Sequence, residues 1–367
     1  MMAPYIHQLK QWPQFSWQNE ELISLLAEVR YLQGRLLGKA ELLGFELRKE
    51  ANLETLIQDV IKSSEIEGEV LNPELVRSSI AVHLGLDYKG KENRDRHIDG
   101  IVEMMLDATQ NNDKSLTDDR LFGWHSALFP SGRSGMYKIE VAKWRTGAMQ
   151  VVSGPMGREK IHFEAPEANL LEKEMQNFLT WFNKDQDIDD LLKAGVAHFW
   201  FVTIHPFDDG NGRIARAIAD MLLSKADRVN QRFYSMSTQI NADKKSYYQI
   251  LEKSQKSTLD ITPWLVWFLN CLKQAIINSE EIITKVTTKH QFLVKNSSAI
   301  TNDRQHLVIT KLLDGFEGNL TTSKYAKLTK SSTDTALRDI TDLMEKGLLL
   351  KSGSGGRSTH YQLNMEK

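Results

Sequence analysis

The sequence predicts a mainly α protein: an all-helical core interrupted by one β-hairpin, followed by a smaller C-terminal unit of three helices and a second hairpin. Three observations carry that expectation. Apolar residues recur at helical spacing through most of the 367-residue chain. Residues 146–166, TGAMQVVSGPMGREKIHFEAP, break the rhythm with two short β-like runs around Ser153-Gly154-Pro155-Met156-Gly157, the composition of a hairpin whose loop is longer than two residues. Beyond residue 303, three amphipathic stretches precede two apolar runs that flank a glycine–serine tip.

In chain order, residues 20–45 and 52–67 show the helical pattern, the second through Leu53, Leu56, Ile57, Val60 and Ile61, with Gly68 as its stop. Residues 96–109, 121–128 and 168–182 continue it. Residues 191–204 are apolar nearly all round, which predicts a central buried helix ending at His205. A helix opens at about Asn211 and covers 214–224; helices over 246–256 and 262–288 follow, with Pro263 suited to a first turn. Helices over 303–314, 321–328 and 332–346 then lead into Gly347-Leu348-Leu349-Leu350, the tip Ser352-Gly353-Ser354-Gly355-Gly356-Arg357, and His360-Tyr361-Gln362-Leu363. Three helices and a wing make a winged helix-turn-helix domain. The expected division is 1–100 for an N-terminal helical domain, 101–273 for the core, 274–302 for a linker helix and 303–367 for the winged unit.

Charge is nearly balanced, 46 Lys and Arg against 48 Asp and Glu, so the whole chain carries no polyanion-binding signal. The single cysteine, Cys271, excludes an internal disulfide and lies in an apolar run suited to a core. The N-terminus, MMAPYIHQLKQW, lacks a basic-then-apolar signal pattern, and Lys193, His198, Asn270 and Lys273 break the longest apolar runs short of a membrane span. A cytoplasmic protein with no membrane partner is the expectation.

Residues 205–216, HPFDDGNGRIAR, hold the densest chemistry. A neutral histidine at His205 can take a proton near pH 7. A carboxylate can hold a hard cation such as Mg²⁺ alongside substrate phosphates. Gly210-Asn211-Gly212 lets the backbone approach a ligand and aim its N–H groups at an anion, and the start of a helix at Asn211 adds its positive end. Arg213 and Arg216 are three residues apart, so on a helix they can grip one polyphosphate. Turn composition alone explains Pro-Phe-Asp-Asp-Gly but needs neither the histidine before it nor the spaced arginines after it. Zinc fits poorly: His198 and His205 are seven apart, with no HExxH spacing and no cysteine partner.

This run resembles the signature HxFx(D/E)GNGRxxR of the Fic (Fido) family, with every defined position present. The resemblance implies transfer of AMP from ATP to a Ser, Thr or Tyr hydroxyl of a protein, either an unidentified target or the chain itself. It implies His205 as general base, Asp209 as the Mg²⁺ ligand, Gly210, Asn211 and Gly212 around the phosphates, and Arg213 and Arg216 as phosphate holders, with Arg216 meeting the γ-phosphate. The hairpin stands where the family carries a flap that docks the target by strand addition, which points to Val151, Val152, Ser153 and Gly154. Ser63-Ser64-Glu65-Ile66-Glu67-Gly68 resembles the family's inhibitory pattern (S/T)xxxE(G/N) at Ser63, Glu67 and Gly68. A rival reading makes Ser64-x-x-Glu67 a capping box, which would require a helix starting at Ser64. Tyr247 and Tyr248 resemble the family's tyrosine pair near the adenine, and Gln255 stands where the family has an asparagine. Trp12, Phe15 and Trp17 resemble an N-terminal helical domain fused to bacterial members, and Thr335-Ala336-Leu337-Arg338-Asp339 a recognition helix of their winged domains.

Residues 303–367 hold ten Lys and Arg against eight Asp and Glu, a net of +2, weak for a DNA reader although Arg338, Lys346, Lys351 and Arg357 can form a patch. DNA, a target protein or a second copy in a homodimer all remain open as its partner. An ATP-sensing DNA-binding regulator and a metal-dependent de-AMPylase, with Glu67 positioning water, are the alternatives; a pure sensor has no need of His205.

Overall fold

The computed structural model describes residues 5–86, 95–154, 158, 160–185, 187–229, 231–316, 318–352 and 359–365. Two compact units emerge, residues 1–282 and 283–367.

The first unit begins with α1 (Asn19–Glu41) and α2 (Phe45–Ile66). The helix expected over 20–45 therefore stops early, and the one expected from 52 starts early. Leu42 and Phe45 extended the apolar pattern, yet both are exposed, and extended backbone at Gly44 separates the helices. Residues 46–51 are mostly polar helix formers, so apolar spacing hid the first turns of α2. Because α2 runs through Ile66, Ser64 lies in its last turn rather than at a helix start and the capping-box reading fails; Gly68, at φ 85°, follows the C-cap Glu67 as a stop. A helix the pattern missed, α3 (Pro73–His83), is started by Asn72, whose side chain accepts from the backbone N–H of Glu74 and Leu75.

Asp95 caps α4 (Arg96–Gln110) and Thr117 caps α5 (Asp118–Leu128). A small unexpected hairpin, β1 (Arg133–Ser134) with β2 (Tyr137–Lys138), follows. The expected hairpin is β3 (Gln150–Ser153) paired antiparallel with β4 (Lys160–Glu164), in register Val151↔Phe163 and Val152↔Ile161 with an irregularity between Val151 and Val152. Its tip, Pro155-Met156-Gly157, lies outside the described residues.

Next come α6 (Leu171–Asn183), α7 (Asp190–Ile204) and α8 (Asn211–Asp227). α7 is buried from Leu191 to Ile204, as its composition demands. At Gly195 an added Cβ would fall 2.9 Å from Leu265, so only glycine lets a neighbouring helix pack this close. That neighbour is α11 (Thr262–Lys295), reached through α9 (Met236–Ala242), also unexpected, and α10 (Lys244–Gln255). Trp264 of α11 donates to the Gly195 carbonyl at 2.8 Å, and Cys271 is buried there.

In the second unit, α12 (Asp303–Leu313), α13 (Thr322–Thr329) and α14 (Thr333–Glu345) precede the antiparallel pair β5 (Leu349–Ser352) and β6 (His360–Leu363). Val308, Ile309, Tyr325, Ile340 and Leu343 form its core. The wing tip, Gly353-Ser354-Gly355-Gly356-Arg357, lies outside the described residues. Two expected boundaries, after residues 100 and 273, fall inside α4 and α11, where an unbroken helical hydrogen-bond ladder leaves no hinge. The segment expected as a separate linker helix is largely the end of α11. Among the described residues no helix is long and apolar enough to cross a membrane.

Candidate active site

α7 ends in a left-handed residue, His205, at φ 52° and ψ 58°. This turn throws the imidazole out of the buried helix. Its Nδ1 lies 3.1 Å from the Val202 carbonyl, which can only accept, so Nδ1 carries the proton and Nε2 the lone pair. Burial is the main force holding the His205 pKa down; the Val202 bond raises it, the Arg145 charge lowers it, and Glu67 and Asp209 raise it. The ring is therefore neutral at pH 7.

The loop after His205 is closed by Asn211. Its Oδ1 accepts from the Phe207 N–H at 2.9 Å, and its Nδ2 donates to the Phe207 carbonyl at 2.8 Å. The Asn211 side chain thus shapes the loop, leaving the backbone N–H groups at the start of α8 to face an anion. Gly210, at φ 81°, makes the turn. Asp209 accepts from the Gly210 N–H and from the Ser134 hydroxyl, and Asp208 accepts from the Glu140 N–H at 2.9 Å. The two carboxylates differ in consequence: Asp209 lines the cavity and Asp208 does not.

That cavity measures about 560 Å³ and brings together His205, Asp209, Asn211, Gly212, Glu67, Val151, Val152, Ser153, Tyr247, Tyr248 and Gln255. Tyr247 is buried with its hydroxyl 2.9 Å from His198 Nε2, so it serves the core and the cavity at once. Burial, with Glu67 adding to it, pushes the Tyr248 phenol up to about 12. Gln255 donates to the Thr203 hydroxyl at 3.3 Å. Gly154, Gly210, Ser63, Gly68, Arg213 and Arg216 are not in the cavity lining.

The two arginines are occupied by α2 and the residues after it. Arg216, almost fully buried, donates through Nε to the Ser63 hydroxyl at 3.0 Å, and through Nη2 to the Ser63 carbonyl at 2.9 Å and to Glu67 at 2.8 Å. Its Nη1 is buried without a hydrogen-bond partner, and a Cβ at Gly212 would lie 3.3 Å from it. The same Cβ would fall 2.3 Å from the Glu67 carboxylate, which therefore rests on the start of α8. Arg213 donates to Glu69 at 3.2 Å and stacks over Phe129, while Glu69 also bonds His97.

Below this contact α2 and α8 run on as a polar seam. Asp59, Ser63 and Glu67 repeat every four residues on α2, and Gly212, Arg216 and Asp220 do so on α8. Asp59 accepts from Ser235 at 2.6 Å and Asp220 from Arg232 at 2.8 Å. Each keeps one buried carboxylate oxygen without a hydrogen-bond partner among the described residues. Burial, reinforced by Asp59 against the pull of Arg232, raises Asp220 to about 7.

Sequence reasoning missed Arg145, His162 and the contact that Glu252 makes with His162. Ser153 and His162 bond at 2.5 Å, and His162 Nδ1 meets Glu252 at 2.7 Å, tying the β3–β4 hairpin to α10. No local motif marked these contacts, because each acts across the chain.

This geometry defines a class: a helical fold in which a histidine, a carboxylate and a helix N-terminus converge beneath a β-hairpin. Residues 115–223 match the Fic/DOC family, and residues 5–86 a domain family of unknown function, DUF4172. The chain therefore carries a Fic/DOC-family domain over residues 115–223. It is 24% identical over 234 residues to the protein adenylyltransferase Fic of Nematostella vectensis, covering 62% of this chain and 49% of that protein. Over 232 residues it is 24% identical to the protein of the same name from Aedes aegypti, covering 62% and 42%. The chain thus spans half or less of the length of these relatives. A Fic family protein from Desulfovibrio desulfuricans G20 matches in fold with a TM-score of 0.55 at 21% identity, covering 96% of this chain and 98% of that one.

Proposed function

We propose that the chain is a protein adenylyltransferase: it moves AMP from ATP to a Ser, Thr or Tyr hydroxyl of a protein, in the cytoplasm. The observation that carries this reading is that His205, whose Nδ1 is committed to the Val202 carbonyl, lines one cavity with Asp209, the start of α8 and the β3 strand. The names of the relatives support it.

In this reading the target segment adds to β3, which has one hydrogen-bonded neighbour, β4, among the described residues. The incoming hydroxyl gives its proton to His205 Nε2 as its oxygen bonds the α-phosphorus, and pyrophosphate leaves. Backbone N–H groups at Gly212 and the positive end of α8 stabilise the charge that develops on the phosphate oxygens. Arg213 and Arg216 hold the β- and γ-phosphates once freed, and Tyr247, Tyr248 and Gln255 face the base.

The described residues contain no cluster of three metal-binding side chains. One carboxylate, Asp209, suits Mg²⁺, which is commonly held by one or two carboxylates together with substrate phosphates. Bound there, Mg²⁺ would neutralise phosphate charge and orient the leaving group. Glu67 inhibits in this reading, because its carboxylate occupies Arg216 and the start of α8. A second reaction, removal of AMP, draws support from the place of Glu67 in the cavity lining, where it can orient water.

The test is transfer of label from α-labelled ATP to protein. His205→Ala should bind ATP nearly normally and lose about 10²–10⁴-fold in transfer. Near-normal labelling by that variant would overturn the assignment.

A further inference from the structure

Arg145 is only 2% exposed, yet its described hydrogen bonds all go to backbone carbonyls and none to a carboxylate. Nε donates to the His205 carbonyl at 2.8 Å, Nη1 to Gly147 at 2.7 Å and Nη2 to Pro166 at 2.6 Å. Its own backbone N–H donates to the Pro206 carbonyl at 2.9 Å. Gly147 stands just before β3 and Pro166 just after β4, so these are the two feet of the hairpin. One guanidinium therefore binds both feet of the hairpin and the turn that presents the imidazole. Only a planar fork of five donors can serve three carbonyls in fixed directions; an ammonium cannot.

We propose that Arg145 is a positioning residue for the transfer reaction: it sets the separation between His205 and the β3 edge, so that a hydroxyl docked on β3 arrives within reach of Nε2. This rests on the adenylyl-transfer reading. The reaction needs the acceptor oxygen and the base in near-contact, and a misplacement of about 1 Å can cost on the order of 10²-fold. Arg145 also acts at a distance. The charged groups facing His205 are Arg145, Glu67 and Asp209; the two carboxylates favour imidazolium, and Arg145 opposes them.

The test compares Arg145→Gln and Arg145→Lys with the parent, each carrying Glu67→Gly. The measurements are Mg-ATP binding by calorimetry, label transfer to proteins of a cell lysate across pH, and titration of His205 by ¹⁵N NMR. Arg145→Gln should bind Mg-ATP within about threefold of the parent, lose about 10²-fold in transfer, and show His205 titrating at higher pH, with the acid limb of the rate profile moving up alongside. Arg145→Lys keeps the charge but loses the fork. It should recover only part of the rate and leave the His205 titration in place, which keeps the test decisive if the glutamine variant fails to fold. Parent-level transfer by Arg145→Gln, or by Arg145→Lys where that variant alone folds, would refute the proposal. So would a loss of transfer matched by an equal loss of ATP binding with His205 unmoved. If no protein, parent included, transfers label while His205 still shifts in Arg145→Gln, the adenylyl-transfer reading falls and the contact between Arg145 and His205 stands.

Discussion

The two arginine centres of this protein are built on opposite principles. Arg145 is held by neutral backbone carbonyls, and Arg216 by the Ser63 hydroxyl and carbonyl and one carboxylate, Glu67. The difference matters for what each can release. No incoming anion can replace three carbonyls that belong to the chain's own turns, so the base and the hairpin stay joined. A phosphate can replace a carboxylate without leaving a buried charge unpaired, so the contact between Arg216 and Glu67 is exchangeable. The Nη1 of Arg216, beside Gly212, is a buried donor without a hydrogen-bond partner among the described residues.

The sharpest way to break this contrast is Glu67→Gly. Freeing Arg216 should raise AMP transfer on the order of 10²-fold, by restoring an in-line nucleotide geometry. Arg216→Ala should not activate, since it removes the phosphate holder together with its blocker. Initial rates at saturating Mg-ATP decide the matter: a Glu67→Gly rate no higher than wild type makes the end of α2 only a helix end.

A smaller effect tests the carboxylate that stays in the cavity. Asp209→Ala should lower transfer by at least the 10–100-fold that follows loss of even an outer partner at a metal site, and EDTA should silence the wild type. Transfer that survives thorough chelation would remove the metal from the reading.

The smallest effect concerns stability along the α2–α8 seam. Asp220 is raised to about 7 by burial and by Asp59. Its folded form therefore binds a proton more tightly than the unfolded chain. The stability it contributes is full below pH 4 and is lost as pH rises through about 7, at about 1.4 kcal/mol per unit of displacement. Asp220→Asn cannot lose that proton. Urea unfolding of both proteins at pH 5 and pH 8 should show the wild type declining more than the variant; equal declines would show that Asp220 holds no proton in this range.

How much was legible beforehand follows from distance along the chain. The hairpin announced itself by two β-like runs, and α7 by being apolar nearly all round. α3 and α9 went unseen because they are short and their apolar faces small. The break between α1 and α2 was masked by Leu42 and Phe45, which look like core residues and lie exposed. Asn211 was read as part of an anion site; it lines the cavity, and its amide also closes the loop through the Phe207 backbone, a role that residue type alone does not announce.

Residues 205–216 by themselves determined a base, a carboxylate, a positive-φ turn and a helix start, because these are local properties of one short run whose backbone conformation follows from its glycines and proline. Tertiary structure alone decided what each of those groups meets. Glu67 reaches Arg216 across 149 residues, and Arg145 reaches the His205 carbonyl across 60. Such contacts depend on where whole helices pack, and packing is set by the summed burial of apolar faces, which no single motif encodes.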